Sequence, residues 1–335
     1  MSAPVSLEHA TVLVTGATGF IGGHLVEALV QMKCDVHCLV RRTSDLRLID
    51  RTRVQLHFGS LTDSFPLTDC LAASDYVFHC AGATRAKTRS DYFRINADAC
   101  KSLYEQCARH GGNIRRIVHV SSLAAVGPAL PGQPASEETP CKPLTYYGKS
   151  KLAGEKIAEQ FSSPLPITIL RPPVVYGPRE VNFFAFLKGI SKGWNLKMGS
   201  KKRALSLIYV KDLVEAMLTA AAAPAQDKNP YFITDGNIYP WDEVVQTASG
   251  LLNVRPRTLA IPDSLLIFAG LLSEFLSIYR KTPPLLDHQR MIDIRQSNWT
   301  ASSAKFFNDF RFKPKYDLQA GLAETLDWYK NNRWL

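Results

Sequence analysis

No Cys-x-x-Cys pair occurs among the seven cysteines, Cys34, Cys38, Cys70, Cys80, Cys100, Cys107 and Cys141, and their number is odd. Several sit inside apolar strand-like or helical patterns. They read as reduced core residues, which argues against a disulfide framework or a zinc site, and no metal is expected. No long Lys or Arg run concentrates the formal charge of +10. Nucleic acid is therefore not an expected partner, and a phosphorylated ligand or an anionic membrane surface accounts better for the basic balance. The N-terminus lacks a basic-then-apolar signal peptide. No apolar run reaches the roughly 20 residues that a membrane span needs. The most hydrophobic stretch, Leu265 to Ile278, is interrupted by Glu274. Internal repeats, low-complexity tracts and heptads are also missing. The expected location is the cytoplasm, with peripheral membrane contact as a further expectation.

What is present is ample for a large core: 335 residues, 46% of them hydrophobic. Thr11–Thr15 is a short β-branched run that reads as a buried strand. Gly16-Ala17-Thr18-Gly19-Phe20-Ile21-Gly22 follows it, and then a helical pattern carries Leu25, Ala28 and Leu29 on one face. Glycines at this spacing allow a tight turn, and the helix start offers free N–H groups to a phosphate. A second strand, Asp35 to Val40, ends in Arg41-Arg42-Thr43-Ser44, where an NAD site usually carries an acid for the adenosine ribose. An arginine there accommodates a 2′-phosphate, so NADP(H) is the expected cofactor and NAD(H) the alternative. Further strands are read at Val54 to Phe58, Asp75 to Cys80, Ile114 to Ser121 and Pro166 to Leu170, with a long helix from Arg89 to Arg109.

Strand and helix alternate to about residue 177, which predicts a Rossmann-type α/β fold with a doubly wound parallel sheet. Ligands bind such sheets beyond the carboxyl ends of the strands. The expected cofactor-binding set lies there: Gly16, Thr18, Gly19, Phe20, Ile21, Arg41, Ser60, Leu61, Ala81, Gly82, Ala83, Pro172 and Val174, joined by Tyr147 and Lys151. The division expected is 1–177 for dinucleotide binding. Residues 178–335 form mainly a substrate-binding lobe with segments returning to the first unit. Tyr147 and Lys151 are four apart at the start of a helix running to about Phe161, so they share a face. The ammonium is expected to lower the tyrosine pKa and make the phenol a usable acid/base. Ser122, at the end of the fifth strand, carries a hydroxyl suited to hold a substrate carbonyl.

Together these pieces resemble the extended short-chain dehydrogenase/reductase family. The matching residues are Thr15 to Gly22, Val120-Ser121-Ser122, Tyr147-Gly148-Lys149-Ser150-Lys151 with Glu155, Arg171 to Pro178, Ile208-Tyr209-Val210-Lys211-Asp212, and the terminal Gly321, Thr325 and Trp328-Tyr329. The resemblance implies that Tyr147 exchanges the proton at the reacting oxygen. It implies that Lys151 binds the nicotinamide ribose, and that Ser122 (with Ser121 as the alternative) bonds the same oxygen. Asn96 would support the helix or a water relay. Family members also pair as homodimers through a four-helix contact that includes the Tyr147 helix.

Sugar-nucleotide epimerases of the family carry an arginine where this chain has Leu205-Ser206-Leu207, with Arg203 further back as a partial substitute, and an asparagine where it has Val174. The chain is similar instead to the 3β-hydroxysteroid dehydrogenase, dihydroflavonol reductase and hopanoid-associated branch. The expected activity is an NADP(H)-dependent ketone reductase or secondary-alcohol dehydrogenase on a hydrophobic steroid, hopanoid or long-chain keto-lipid. The alternatives are a sugar-nucleotide epimerase and a non-catalytic dinucleotide sensor. Phe183-Phe184-Ala185-Phe186-Leu187 is read as core or as the wall of an apolar pocket. The stretch 264–281, flanked by Arg280 and Lys281, is read as a buried helix or as a membrane-touching surface.

Overall fold

The structure, a computed structural model of the chain, describes residues 7–63, 67–198, 202–224, 230–262, 264, 265, 268, 270 and 288–335. Most of the 264–281 stretch lies outside the described residues; Leu265 and Phe268 are exposed.

Six strands open the chain: β1 Thr11–Thr15, β2 Asp35–Val40, β3 Gln55–Phe58, β4 Tyr76–His79, β5 Arg116–Val120 and β6 Ile167–Arg171. They are rich in β-branched residues, and β5 and β6 are buried along their whole length. Such runs suit a parallel sheet covered on both faces. Shorter strands follow at β7 Val174–Tyr176, β8 Trp194–Met198, β9 Ala204–Leu205 and β10 Leu207–Tyr209; then β11 Tyr231–Phe232 returns to the large sheet. The sheet order is β11-β6-β5-β4-β1-β2-β3, parallel throughout. The strand order reverses between β1 and β4, with β2 and β3 added on one side and β4 to β6 on the other, which places a crevice at their carboxyl ends.

The helices that cover the sheet are α1 Phe20–Gln31, α2 Thr68–Ala73, α4 Ala99–His110, α5 Tyr146–Phe161 and α7 Val210–Ala222, while α3 Arg89–Phe93 packs on α5 and α6 Val181–Ser191 belongs to a second core. On one face Val12, Val14 and Val118 pack with Leu25, Leu29, Leu213 and Met217. On the other, Leu13, Val77 and Ile117 pack with Cys100, Leu103, Tyr104 and Ala158. The helix expected over 89–109 is broken by a π-helical turn at Arg94–Asp98. That turn carries Asn96 to the mouth of the crevice.

A second core joins Tyr176, Phe183, Leu187, Leu205, Leu207 and Tyr209 to the C-terminal helix Leu318–Asn331 through Leu322 and Tyr329. The Phe183–Leu187 run is therefore core, with Phe184 and Phe186 packed against it. Asp212 accepts hydrogen bonds from the Lys315 and Tyr316 amides at 2.9 Å each. This fastens α7 to the C-terminal segment and accounts structurally for the acid of the Ile-Tyr-Val-Lys-Asp run.

Candidate active site

The turn after β1 is built by glycine. Gly16 has φ +74°, a region that favours a residue without Cβ, and an added Cβ would stand 2.6 Å from the Ala81 nitrogen. A Cβ on Gly22 would stand 2.2 Å from the Gly16 carbonyl oxygen. The turn, the 81–83 segment and α1 are thereby held in contact. Helix α1 begins at Phe20 with no side-chain cap and no acidic residue in its first turn. Uncapped amides with a positive dipole end suit a pyrophosphate. Thr18 and Gly19 lie at this mouth. Ile21 packs on the sheet core, and the ring of Phe20 stands edge-on to His24.

At the end of β2, Arg41 and Arg42 are exposed on a turn closed by the Ser44 amide bonding the Arg41 carbonyl at 2.9 Å. The first acid downstream, Asp45, is paired with Arg47 at 2.6 Å. Ser60 bonds Thr62, and the Leu61 side chain is buried in the core.

Asn96 clamps the next wall. Its amide nitrogen donates to the Ala83 carbonyl at 3.0 Å and to Ser150 Oγ at 2.9 Å; its oxygen accepts the Ala83 amide at 2.8 Å. One side chain thus fixes the 81–83 segment against α5. Gly82 lies between Asn96 and Lys151; a Cβ there would sit 3.1 Å from Asn96 Oδ1 and 3.6 Å from Lys151 Nζ.

Helix α5 is capped by Thr145, whose Oγ1 accepts the Gly148 amide at 3.3 Å. Gly148 permits close packing, since a Cβ would meet the Ala124 carbonyl at 2.3 Å. Lys151 is buried, and its ammonium donates to the Val120 carbonyl at 2.7 Å. Burial pulls its pKa below the ordinary value, partly offset by Cys100 and Glu155. Tyr147 differs from the expectation. Burial pushes its pKa up, the Ser122 hydroxyl bond pulls it down, and Asp293 and Tyr92 push it up further. Desolvation outweighs any pull from the lysine, whose ammonium is engaged with Val120.

The two serines separate. Ser121 is buried and donates to Glu155 Oε1. Glu155 is also held by Arg171, with Nε at 3.0 Å from Oε1 and Nη2 at 2.6 Å from Oε2. Ser122 instead bonds Tyr147 and caps the short 3₁₀ turn Leu123–Ala125, accepting the Ala124 amide at 3.2 Å. Pro172 is buried, with its carbonyl taken by the Leu123 amide at 2.9 Å, and Val174 on β7 is exposed.

Beside Tyr147 lies a cavity of about 240 Å³ lined by Thr84, Tyr92, Thr145, Tyr147, Gln289, Arg290, Asp293 and Ile294. The last four belong to the helix His288–Ile294, which is tied to the start of α5 by the Tyr146 amide bonding Gln289 Oε1 at 2.7 Å. Sequence reasoning missed this helix and Tyr92. The helix carries no motif, and its approach to α5 depends on a long return of the chain.

A parallel sheet in this strand order, a glycine turn feeding an uncapped helix, and a Ser-Tyr-Lys group at the crevice define a nicotinamide-dinucleotide oxidoreductase of the extended short-chain dehydrogenase/reductase type. The chain belongs to the NAD dependent epimerase/dehydratase family, whose sequence pattern matches residues 12–234. It is 28% identical to a ceramide reductase of Caulobacter vibrioides over 97% of this chain and 96% of that one. It is also 28% identical to sterol demethylase protein B of Methylococcus capsulatus, covering 96% and 98%. Among solved structures, MoeE5 in complex with UDP-glucuronic acid and NAD superposes with a TM-score of 0.76 at 26% identity, over 96% of this chain and 99% of that one.

Proposed function

We propose that this protein is an NADP(H)-dependent reductase of a ketone on an amphiphilic, long-chain lipid. The observation that carries the reading is the run where family epimerases hold an arginine. Leu205 and Leu207 are buried in the core there, and the Ser206 hydroxyl between them is spent on the Ala301 carbonyl at 3.2 Å. Nothing in that run is left to grip a sugar diphosphate. The likeness to a ceramide reductase and a sterol-processing protein supports the same substrate class. The cavity beside Tyr147 refines it. Gln289, Arg290 and Asp293 suit a ketone flanked by hydroxyl or amide groups better than a wholly apolar skeleton. The exposed Arg41 favours NADP(H) over NAD(H).

The bound nicotinamide supplies or accepts the hydride. The chain's own residues handle the oxygen. Ser122 and Tyr147 both donate to it, and as alkoxide character grows Tyr147 passes its proton across. Lys151 then stabilises the phenolate left behind. Glu155, Arg171 and Ser121 hold the strand end and α5 in register behind these groups. Contact with an anionic bilayer belongs to the same reading. The charge of +10 and the exposed Trp194, Leu196 and Leu259 support it. Co-sedimentation with anionic vesicles, weakening with salt, is the corresponding outcome, and no binding at low salt removes this part.

The test is a paired assay on purified protein. A long-chain keto-amide lipid should drive NADPH oxidation in stoichiometric amounts, while UDP-glucose and UDP-galactose should not interconvert. Interconversion of the sugar nucleotides without net cofactor consumption overturns the proposal in favour of an epimerase.

A further inference from the structure

Two clusters of nitrogen and sulfur donors lie among the described residues. His79, Cys100 and His119 form one; His37, His57 and Cys70 form the other. The first is sealed within the core, and the Lys151 ammonium repels added positive charge there. It is a hydrogen-bonded core network, with His79 shared between Thr15 at 2.7 Å and Cys100 at 3.2 Å.

The second has what the first lacks. His37 on β2 and His57 on β3 present Nδ1 and Nε2 to each other at 2.9 Å, and Cys70 comes from α2. The three donor atoms lie within 4.8 Å of one another. His57 is partly exposed, so the group is reachable from solvent. A further residue points to a ligand. Asp35 Oδ2 lies 3.3 Å from His37 Nε2, and the Gln55 amide holds the other Asp35 oxygen at 3.0 Å. A carboxylate on one ring nitrogen fixes the proton there and leaves the other nitrogen's lone pair free for a metal. With the proton held on Nε2, His37 Nδ1 is the acceptor of the 2.9 Å bond to His57 Nε2, and its lone pair turns to a metal when that proton leaves.

We infer that Asp35, His37, His57 and Cys70 form a binding site for a zinc-class divalent cation at the β2–β3 edge, distinct from the active site. The ligands are His37 Nδ1, His57 Nε2 and Cys70 Sγ, with water in the fourth position and Asp35 as the outer support. Two imidazoles and one thiolate select a borderline-soft ion; Mg²⁺ and Ca²⁺ prefer oxygen. The protons balance simply. His57 moves its proton from Nε2 to Nδ1, and Cys70 releases one proton to solvent as the S–metal bond forms. Such an ion would pin β2, β3 and α2 together just below the turn that carries Arg41. The sequence conceals the site because its ligands stand far apart, one on each of three elements.

The test uses the untagged full-length chain, stripped with chelator and titrated with Zn²⁺ by calorimetry and with Co²⁺ by visible absorption. One equivalent should bind. Co²⁺ should give tetrahedral d–d bands and a thiolate-to-metal charge-transfer band. His57→Gln, at a partly exposed position, should weaken Zn²⁺ binding by two or more orders of magnitude while Tm in chelator stays near that of the parent. Asp35→Asn should weaken it about 10–100-fold, as for outer-shell supports elsewhere. Cys70→Ala should remove the charge-transfer band. Unchanged affinity in His57→Gln, Co²⁺ binding without a thiolate band in the parent, or no stoichiometric binding at all overturns the assignment. Turnover is not needed for any of these readouts.

Discussion

Ser121 and Ser122 are adjacent, share one chemistry and point to different fates, so exchanging each for alanine separates catalysis from architecture. Ser121→Ala removes a buried donor to the Glu155 carboxylate, while the two Arg171 bonds remain. A hydrogen bond to a charged buried group contributes about 1.5–3 kcal/mol. At roughly 2 °C per kcal/mol for a chain of this length, Tm should fall by about 3–6 °C. Turnover should change little, because the site hydroxyls are untouched. Ser122→Ala removes the partner of Tyr147 and the acceptor of the Ala124 amide. Loss of the two bonds costs about 1–3 kcal/mol, or about 2–6 °C, so kcat rather than Tm separates the two variants. Loss of one donor to a developing alkoxide should reduce kcat about 10²–10³-fold. The assay is steady-state NADPH oxidation at saturating keto-lipid, with a melting curve on the same samples. A Ser121→Ala protein that melts normally and loses a hundredfold in kcat refutes the assignment, as does a fully active Ser122→Ala protein.

Tyr147→Phe should lose roughly 10²–10⁴ in kcat with cofactor affinity nearly intact. Lys151→Met should lose both, and titration of cofactor fluorescence separates the two variants. Arg41→Ala should weaken NADPH binding about ten- to hundredfold and leave NADH binding unchanged, by calorimetry with each cofactor. Glu155→Ala strands the buried Arg171 guanidinium and should cost about 3–5 kcal/mol in denaturant unfolding, whereas Glu155→Leu with Arg171→Met should recover much of it. Burial raises the Asp235 pKa from 3.8 to about 6, against bonds from Asn237 and Tyr239. A carboxyl that holds its proton more tightly when folded favours the folded state below about pH 4 and loses that contribution as pH rises through about 6. Asp235→Asn should therefore gain in Tm relative to the parent as pH goes from 4 to 7.5. A pH-independent difference between them contradicts this.

Much of the sheet was legible because its strands are covered on both faces. Thr11–Thr15 stands out as a β-branched and apolar run, Asp35–Val40 is mostly apolar after its first residue, and the turn after the first strand carries glycines that only a tight backbone approach explains. The π turn at Arg94–Asp98 was not legible. One extra residue in a helix leaves the apolar spacing almost unchanged, and the reason for it, Asn96 reaching both Ala83 and Ser150, is tertiary. The tyrosine pKa went astray for a related cause. Sequence spacing shows the charge at position 151 but neither the burial around it nor the Val120 carbonyl that takes its ammonium. Phe183–Leu187 looked the same as core or pocket wall, since an apolar run does not say which neighbour covers it. The polar cavity residues Gln289, Arg290 and Asp293 arrive from near the end of the chain and leave no local mark.

The two-residue strand Tyr231–Phe232 also sets a rule for anyone cutting or recombining this chain. It seals the open edge of β6. The ring of Phe232 stacks on the Arg171 guanidinium, with 5.6 Å from its carbon to the ring centroid. The Phe232 amide is taken by Glu137 at 3.2 Å. A fragment ending near Gly177 would keep every glycine, serine, tyrosine and lysine of the site. It would nevertheless leave the β6 edge at Leu170 and Arg171 unpaired, a template for intermolecular pairing. Chimeras that graft a new substrate lobe onto this crevice should splice after residue 234, so that β11 travels with the sheet it closes. During synthesis on the ribosome, the same strand delays completion of the sheet until that point has emerged.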